Sequence, residues 1–248
     1  MDVQNVMAKT PFQLSPEQVS RIVGFIGYGN TCAPVWFIGL EEGLGNMDSD
    51  DTDRNLIARG RFDETTDLYK AHLQLRAGGH PIDVEKNPPT TQVWRWMAKI
   101  MRARRGESDW SEKKSAKNYV RLNLGRSEGE TFLTELSPIP AHNTVGGKKW
   151  HGWFMHLDPE LISHLSQRQE RLGQMLRQSS PHLVVCYGRG SADKFAQLLD
   201  VDWQPVSPKI SKSPDSRCLL LPFFGQGHMS HDVVRDLFDR GLLRSAQG

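Results

Sequence analysis

Residues 34–43, PVWFIGLEEG, join a short apolar run to two adjacent carboxylates and a closing glycine. A continuous apolar run that ends in a turn is typical of a strand covered on both faces of a sheet. The strand is predicted at 34–40, and three further runs share its pattern: 131–136 (TFLTEL), 182–188 (HLVVCYG) and 218–224 (CLLLPFF). Because turn or polar residues follow each run, the sequence predicts four strands with polar chemistry at their carboxyl ends.

Helical patterns fill the segments around these strands. The first, 15–27, begins with Ser15 and Pro16, and Gln18 occupies the position of a capping box. Apolar spacing predicts further helices at 53–75 (interrupted near Gly60), 90–104, 158–178, 191–199 and 230–243. Strands that alternate with helices predict an α/β fold. We expect three layers, αβα, with a mainly parallel four-stranded sheet and helices on both faces.

The composition bounds the class of protein. With 248 residues, 38% hydrophobic and 24% charged, the chain is interpreted as one domain, 1–248, with a basic insertion or loop around 102–126. A net charge of +2 neither requires nor excludes a polyanionic partner. No apolar run approaches the roughly 20 residues that span a bilayer, and the start lacks a signal-peptide core. Three scattered cysteines predict buried, reduced thiols, so we expect a cytoplasmic protein without a membrane partner.

Ligands of parallel sheets bind at the carboxyl ends of the strands. All polar turns fall there, so Glu41, Glu42, Glu135, Gly188 and His228 are expected along one edge. A carboxylate at a glycine turn can activate water or stabilise a developing positive charge. Successive side chains of a strand point to opposite faces, so at most one of Glu41 and Glu42 is expected to face a shared pocket, with Glu41 preferred. A pair of solvated surface acids is the alternative.

The loop after the fourth strand is GQGHMSHD, residues 225–232. Its two glycines allow a close approach of backbone to ligand, and His228 follows at the strand exit. Ser230 is predicted to cap the next helix, whose first amides favour an anion. A plain capped turn with a solvent-facing histidine is the alternative. Beside the acid turn, this loop predicts an acid–histidine cleft.

Four motifs, VWFIGLEEG, FLTELSPIP, HLVVCYGRGSADKF and LLLPFFGQGHMS, resemble in order and spacing those of the uracil-DNA glycosylase superfamily, over about residues 34–240. The resemblance implies a DNA repair enzyme that hydrolyses the N-glycosidic bond of a modified or deaminated base, without a metal or other cofactor. It implies that Glu41 or Glu42 and His228 are catalytic. The substrate-binding residues that it implies are Gly39, Gly43, Glu135, Gly188 and Ser230.

The implied mechanism acts on a nucleotide that is flipped out of the stack. His228 would stabilise the negative charge of the departing base, and Glu41 would position water and offset the oxocarbenium character of the sugar. Glu135 departs from the family, which has a base-reading asparagine there. An amide donates and accepts, whereas an ionised carboxylate only accepts, so Glu135 is expected to suit a base that presents an amino group or to serve a different role. Met229 also follows the histidine where the family often has proline.

A basic segment, 95–126, interleaves its charges with Trp110 and Tyr119, which suits phosphate contact and base stacking. The expected nucleic-acid contacts are Arg102, Arg104, Arg105, Lys113, Lys114, Lys148 and Lys149. A solvated helix face is the alternative, and the acid run 47–53 would repel a nucleic-acid backbone. The expected partner is therefore DNA, another nucleic acid or a nucleotide. A non-catalytic nucleic-acid or nucleotide-binding protein of the same fold and a small-molecule hydrolase are the competing functions.

Overall fold

The computed structural model describes residues 14–43, 55–74, 76–77, 80–81, 91–141 and 159–243. Its helices are α1 (Pro16–Gly24), α2 (55–59), α3 (Leu68–Gln74), α4 (Gln92–Arg104), α5 (Lys113–Leu122), α6 (Pro159–Ser179), α7 (Ala192–Leu199) and α8 (His231–Asp239). Its strands are β1 (Gly27–Gly29), β2 (Val35–Gly43), β3 (Thr65–Thr66), β4 (Arg76–Ala77), β5 (His80–Pro81), β6 (Thr131–Ala141), β7 (Leu183–Tyr187), β8 (Gln204–Ser207), β9 (Ile210–Lys212) and β10 (Cys218–Leu221).

One mixed sheet organises the described residues, with eight strands in the order β3-β1-β6-β2-β7-β10-β9-β8. The four predicted strands, β6, β2, β7 and β10, are parallel neighbours at its centre. The α/β class is therefore confirmed. The prediction of a mainly parallel four-stranded sheet is wrong, because β1 pairs antiparallel with β6 and β9 pairs antiparallel with β10. β3 and β8 then complete the two edges.

The unpredicted strands are short and lack a continuous apolar run. β1 is the tripeptide GYG, and β3 has only two residues, inside the segment 53–75 that was predicted as helical. Helix α2 ends at residue 59, just before the turn at Gly60, and α3 begins after β3. Helix α5, within the basic segment, was not predicted either. Sequence periodicity thus located the central strands and missed the edges.

Alternate residues of the central strands face two separate apolar layers. Val35 and Phe37 pack on the face covered by α4, α5 and α8. Trp36 and Ile38 pack on the opposite face with α6 and α7. All four side chains are fully buried, which explains the continuous apolar run, and each contributes roughly 1.5–3 kcal/mol by burial.

The start of α1 has the predicted capping box. The Gln18 amide donates to Ser15 Oγ at 3.2 Å, and the Ser15 amide donates to Gln18 Oε1 at 2.8 Å. Of the cysteines, Cys186 and Cys218 are buried as predicted, whereas Cys32 is exposed in the turn before β2. Within the described ranges, no helix combines the length and the apolar character that crossing a membrane requires.

Candidate functional site

A cavity of about 290 Å³ lies where the central parallel strands end. We call it the strand-end cavity. The end of β2 contributes Glu41 and Glu42, β6 contributes Glu135, β7 contributes Tyr187, and Phe223 follows β10. This position agrees with the rule that ligands of parallel sheets bind at the carboxyl ends of strands. The predicted acid residues therefore meet in one place.

Both glutamates of the GLEEG turn line this cavity, so the expectation that only one would do so is wrong. The pairing of β2 with β6 is irregular at this turn. Glu41 pairs with Ser137 of β6, but Gly43 pairs with Ala141, so two steps along β2 match four along β6. The alternation was expected for a regular ladder, and the ladder is not regular here.

Glu42 forms an ion pair with Arg59 of α2, a residue that is only 7% exposed. The guanidinium is itself held by neighbours: Nε donates to Asn55 Oδ1 at 2.6 Å, and Nη1 donates to the Tyr28 hydroxyl at 3.4 Å. Burial opposes ionisation of Glu42, but the charge and hydrogen bond of Arg59 outweigh it and lower the pKa of this carboxyl. Glu42 is therefore held as a carboxylate.

Glu135 is in the opposite state. The Tyr187 hydroxyl donates to its Oε1 at 2.5 Å, while its Oε2 is buried and has no hydrogen-bond partner in the described part of the chain. Burial raises the pKa of Glu135 to about 8, and the nearby charge of Glu42 adds to this although the Tyr187 bond opposes it. At neutral pH the group is mainly a carboxylic acid. The expectation of an ionised Glu135 that only accepts hydrogen bonds is therefore wrong.

Gly39 makes room for this carboxyl. It lies on β2, directly between Glu135 of β6 and Tyr187 of β7, and the two side chains meet above it. A Cβ at position 39 would overlap Glu135 Oε2 and would lie 2.5 Å from the Tyr187 hydroxyl oxygen. The predicted role of Gly39 was substrate binding, and its position gives it a steric role beneath the cavity lining. Gly43 has open space around it instead.

Arg168 of α6 is a site residue that the sequence reasoning missed. It lines the strand-end cavity and is 4% exposed. Its guanidinium donates to backbone carbonyls of Phe25 at 2.7 Å, Leu136 at 3.0 Å, Glu135 at 2.9 Å and Ile26 at 3.4 Å. Burial lowers the pKa of Arg168 to about 10. These bonds tie α6 to the end of β6 and to the chain entering β1.

One signal for Arg168 was present in the sequence. The residue falls at helical spacing with Leu165, Leu172 and Leu176, on the stripe that faces the sheet. An arginine on an apolar stripe requires buried partners, because leaving its donors unsatisfied costs free energy. The sequence does not say which carbonyls supply those partners, and they lie far away along the chain.

His228 lies in the predicted loop but is exposed and does not contribute to the cavity lining. Its ring centroid is 6.5 Å from that of Phe223, which does line the cavity. Ser230 occupies the N-cap position of α8, although its side chain makes no capping hydrogen bond. Gly188 directly follows β7 with φ of 111°, a backbone conformation that favours glycine, and its amide donates to Leu221 O at 3.0 Å.

Two arginines of the basic segment are engaged in ion pairs with nearby acids. Arg102 is buried and donates to Glu107 Oε2 at 2.7 Å and to Asp109 Oδ1 at 2.5 Å, a burial that contradicts its expected phosphate contact. Arg105 pairs with Glu130 at 2.6 Å. The guanidinium groups of Arg102 and Arg105 are therefore bound within the protein rather than presented to a phosphate.

Other expected contacts divide between packed and exposed positions. Arg104 donates to the carbonyl of Leu243, and Tyr119 is buried rather than available for stacking. Lys113 and Lys114 are exposed on α5. The remaining predictions, Lys148, Lys149 and the acid run 47–53, lie outside the described residues.

The sequence matches no protein-family model and has no significant match among curated proteins. The similarity to the uracil-DNA glycosylase superfamily therefore rests on the four motifs alone. The function that those motifs imply remains a prediction.

Proposed function

We propose that the protein is a DNA glycosylase-like enzyme, which hydrolyses the N-glycosidic bond of a modified or deaminated base held in the strand-end cavity. The observation that carries the proposal is the meeting of three carboxyl groups, Glu41, Glu42 and Glu135, beside aromatic side chains at the strand ends. Glycosidic cleavage uses paired carboxyl groups around an oxocarbenium-like transition state. The cavity volume of about 290 Å³ is near the lower end of ligand pockets, which are about 300–1,000 Å³.

The lining supports a base, rather than a phosphate, as the group that enters. Tyr28, Trp94, Tyr187 and Phe223 supply flat, largely apolar surfaces. Flat heterocycles stack on such surfaces with little dependence on their identity. A phosphate would meet the Glu42 carboxylate and would be repelled, so the sugar–phosphate is expected to remain outside the cavity.

The carboxylates then have distinct roles. Glu41 positions the attacking water and receives its proton. Glu42, which Arg59 keeps ionised, stabilises the positive charge that develops on the sugar ring. The reaction needs the base to be extruded from a duplex, or to be presented in a single strand.

Excision from labelled oligonucleotides tests the proposal. The panel contains deaminated and alkylated bases in both single-stranded and duplex form, and strand breakage after alkali reports excision. We expect at least one base to be released, with activity lowered at least about 100-fold in Glu41→Gln. Glu128→Gln is the matched control, because Glu128 is exposed and lies outside the cavity. No release from any member of the panel would overturn the proposal.

A non-catalytic nucleic-acid or nucleotide-binding protein is the second candidate. The exposed position of His228, away from the cavity lining, favours it because the resemblance assigns the departing base to that histidine. Binding of the same oligonucleotides without product, weakening as salt rises, would select this candidate. Lys113→Ala with Lys114→Ala would then reduce the salt dependence, since both side chains are exposed.

A further inference from the structure

Two carboxyl groups of the strand-end cavity are held in opposite protonation states by different neighbours. Glu42 has the buried guanidinium of Arg59 against it, whereas Glu135 has only the Tyr187 hydroxyl and an oxygen without a partner. In enzymes that cleave glycosidic bonds, such a pair divides the chemistry between an ionised carboxylate and a carboxylic acid. The contrast therefore assigns Glu135 a role different from that of the two β2 glutamates.

The Tyr187 hydroxyl lies 2.5 Å from Glu135 Oε1. With that hydroxyl as the donor, the carboxyl proton of Glu135 is on Oε2. That oxygen is buried over Gly39, has no hydrogen-bond partner among the described groups, and belongs to a residue that lines the cavity. A buried polar atom without a partner costs free energy unless a ligand completes its hydrogen bonding. A ligand acceptor would supply the missing partner once the Glu135 carboxyl turns this oxygen toward the cavity.

We propose that Glu135 is the general acid of the reaction and donates its carboxyl proton to a ring nitrogen of a departing purine-like base. The inference rests on the proposed hydrolysis of an N-glycosidic bond. It names the substrate class because purines carry ring nitrogens whose lone pairs lie in the plane of the base and can accept a proton. Keto pyrimidines instead leave as anions and need a hydrogen bond to a carbonyl oxygen.

The step balances with the groups present. The Glu135 O–H bond breaks as an N–H bond forms on the base, and the C1′–N bond breaks with its electron pair going to the base. The oxygen of water bonds to C1′, and its proton passes to the Glu41 carboxylate. The products are a neutral base and a sugar with a C1′ hydroxyl. Glu135 ends as a carboxylate and Glu41 as a carboxylic acid. Exchange with solvent then removes the proton from Glu41 and restores that of Glu135.

Several charged and titratable groups face Glu135 and set its protonation. Glu41 and Glu42 on β2 favour the acid form, whereas Tyr187 on β7 and the Arg168 guanidinium of α6 favour the carboxylate. Burial is the largest influence, and the pKa of about 8 leaves the acid form dominant at neutral pH. A general acid with a pKa near the working pH is effective, because it is protonated at rest and still transfers its proton readily.

A matched pair of leaving groups tests the proposal. Hypoxanthine and 7-methylhypoxanthine are placed in the same oligonucleotide, and release is corrected for the reaction without protein. The 7-methyl base carries a fixed positive charge on its imidazole ring and departs without a proton. We expect Glu135→Gln to slow release of hypoxanthine about 100- to 10,000-fold while release of 7-methylhypoxanthine changes less than about tenfold. Wild-type release of hypoxanthine, but not of its methylated form, should fall above about pH 8.

The outcomes separate this inference from the proposed function. Equal losses on the two bases in Glu135→Gln, in a variant whose circular dichroism matches the wild type, would overturn the general-acid role alone. Release of pyrimidines from the wider panel but of neither purine would also overturn it alone. No release of any base would overturn both proposals together.

Discussion

The ends of β2 and β6 line one cavity, yet they hold their carboxyl groups in opposite states. Glu42 at the end of β2 meets a buried arginine from α2, and its pKa is lowered. Glu135 on β6 meets a tyrosine and a glycine, and its pKa is raised to about 8. The charge of an acid in this cavity is therefore set by its burial and by whether a cation packs against it, rather than by its place at a strand end.

The largest effect expected from the contrast between Glu42 and Glu135 is a dependence of the protein's stability on pH. The folded protein binds one more proton at Glu135 than the unfolded chain between the ordinary pKa of 4.5 and about 8. The free energy of unfolding therefore falls as pH rises through this window, by at most about 4 kcal/mol between pH 5 and pH 8. Urea unfolding of wild type and Glu135→Gln at matched pH values measures it. Parallel pH profiles for the two proteins would contradict the raised pKa.

Removing Arg59 should destabilise the protein, because Glu42 then loses the cation that holds it ionised. Arg59→Met leaves Glu42 partly buried without its cation, so we expect a loss of about 3 kcal/mol in the free energy of unfolding. Adding Glu42→Gln should recover at least about 1 kcal/mol, because it removes the unpaired charge.

The control for this pair is Arg21→Met on α1. Arg21 forms an ion pair with Glu17 at 3.1 Å, but its side chain is 47% exposed. Exposed pairs contribute little, so the change should stay within about 0.5 kcal/mol. A similar loss in Arg21→Met and Arg59→Met would mean that burial does not distinguish the two arginines.

A methyl group at position 39 should separate Glu135 from Tyr187. The added Cβ in Gly39→Ala overlaps the carboxyl oxygen, so we expect a loss of about 2 kcal/mol in the free energy of unfolding. Gly43→Ala on the same strand has nothing within 4 Å of its added Cβ and should be nearly neutral. Equal changes in the melting temperature of the two variants would show that the Glu135 carboxyl does not pack against Gly39.

The smallest expected effect is that of Tyr187→Phe. The variant keeps the ring that stacks on Phe224 at 4.6 Å but removes the donor to Glu135 Oε1, for a loss of about 1 kcal/mol. Because this hydrogen bond favours the carboxylate, its loss should raise the pKa of Glu135 further. Infrared spectroscopy of the carboxyl stretch against pH, with Glu135→Gln as the reference, measures this shift. A lower midpoint would contradict the assignment of the bond.

The central strands were predictable because each is buried on both faces, so its sequence is a short apolar run. The edge strands were not, since β1 consists of two glycines around Tyr28 and β8 carries exposed Gln204 and Pro205. β1 is a strand because it pairs with β6 and β3, which are distant in sequence, whereas β8 is held only by its hairpin partner β9. Local preference alone does not select such segments.

The candidate site also has a part that the sequence predicts and a part that it does not. Sequence order placed Glu41, Glu42 and Glu135 at the carboxyl ends of adjacent parallel strands, and the cavity lies there. The protonation states depend on Arg59, which reaches Glu42 from α2, and on the burial of the Glu135 carboxyl. No local pattern around an acid reports which distant side chain will pack against it.

The contrast between the cysteines makes the molecule straightforward to label. Cys186 and Cys218 are buried, and burial raises the pKa of both thiols, that of Cys218 to about 11, so neither readily forms the thiolate that reacts with maleimides. Cys32 is exposed just before β2, and the strand runs roughly 20 Å from Val35 to Glu41, toward the acids. A single fluorophore can thus be attached to Cys32 without mutagenesis. Ligand titrations can then follow the fluorescence of a dye that is remote from the acids.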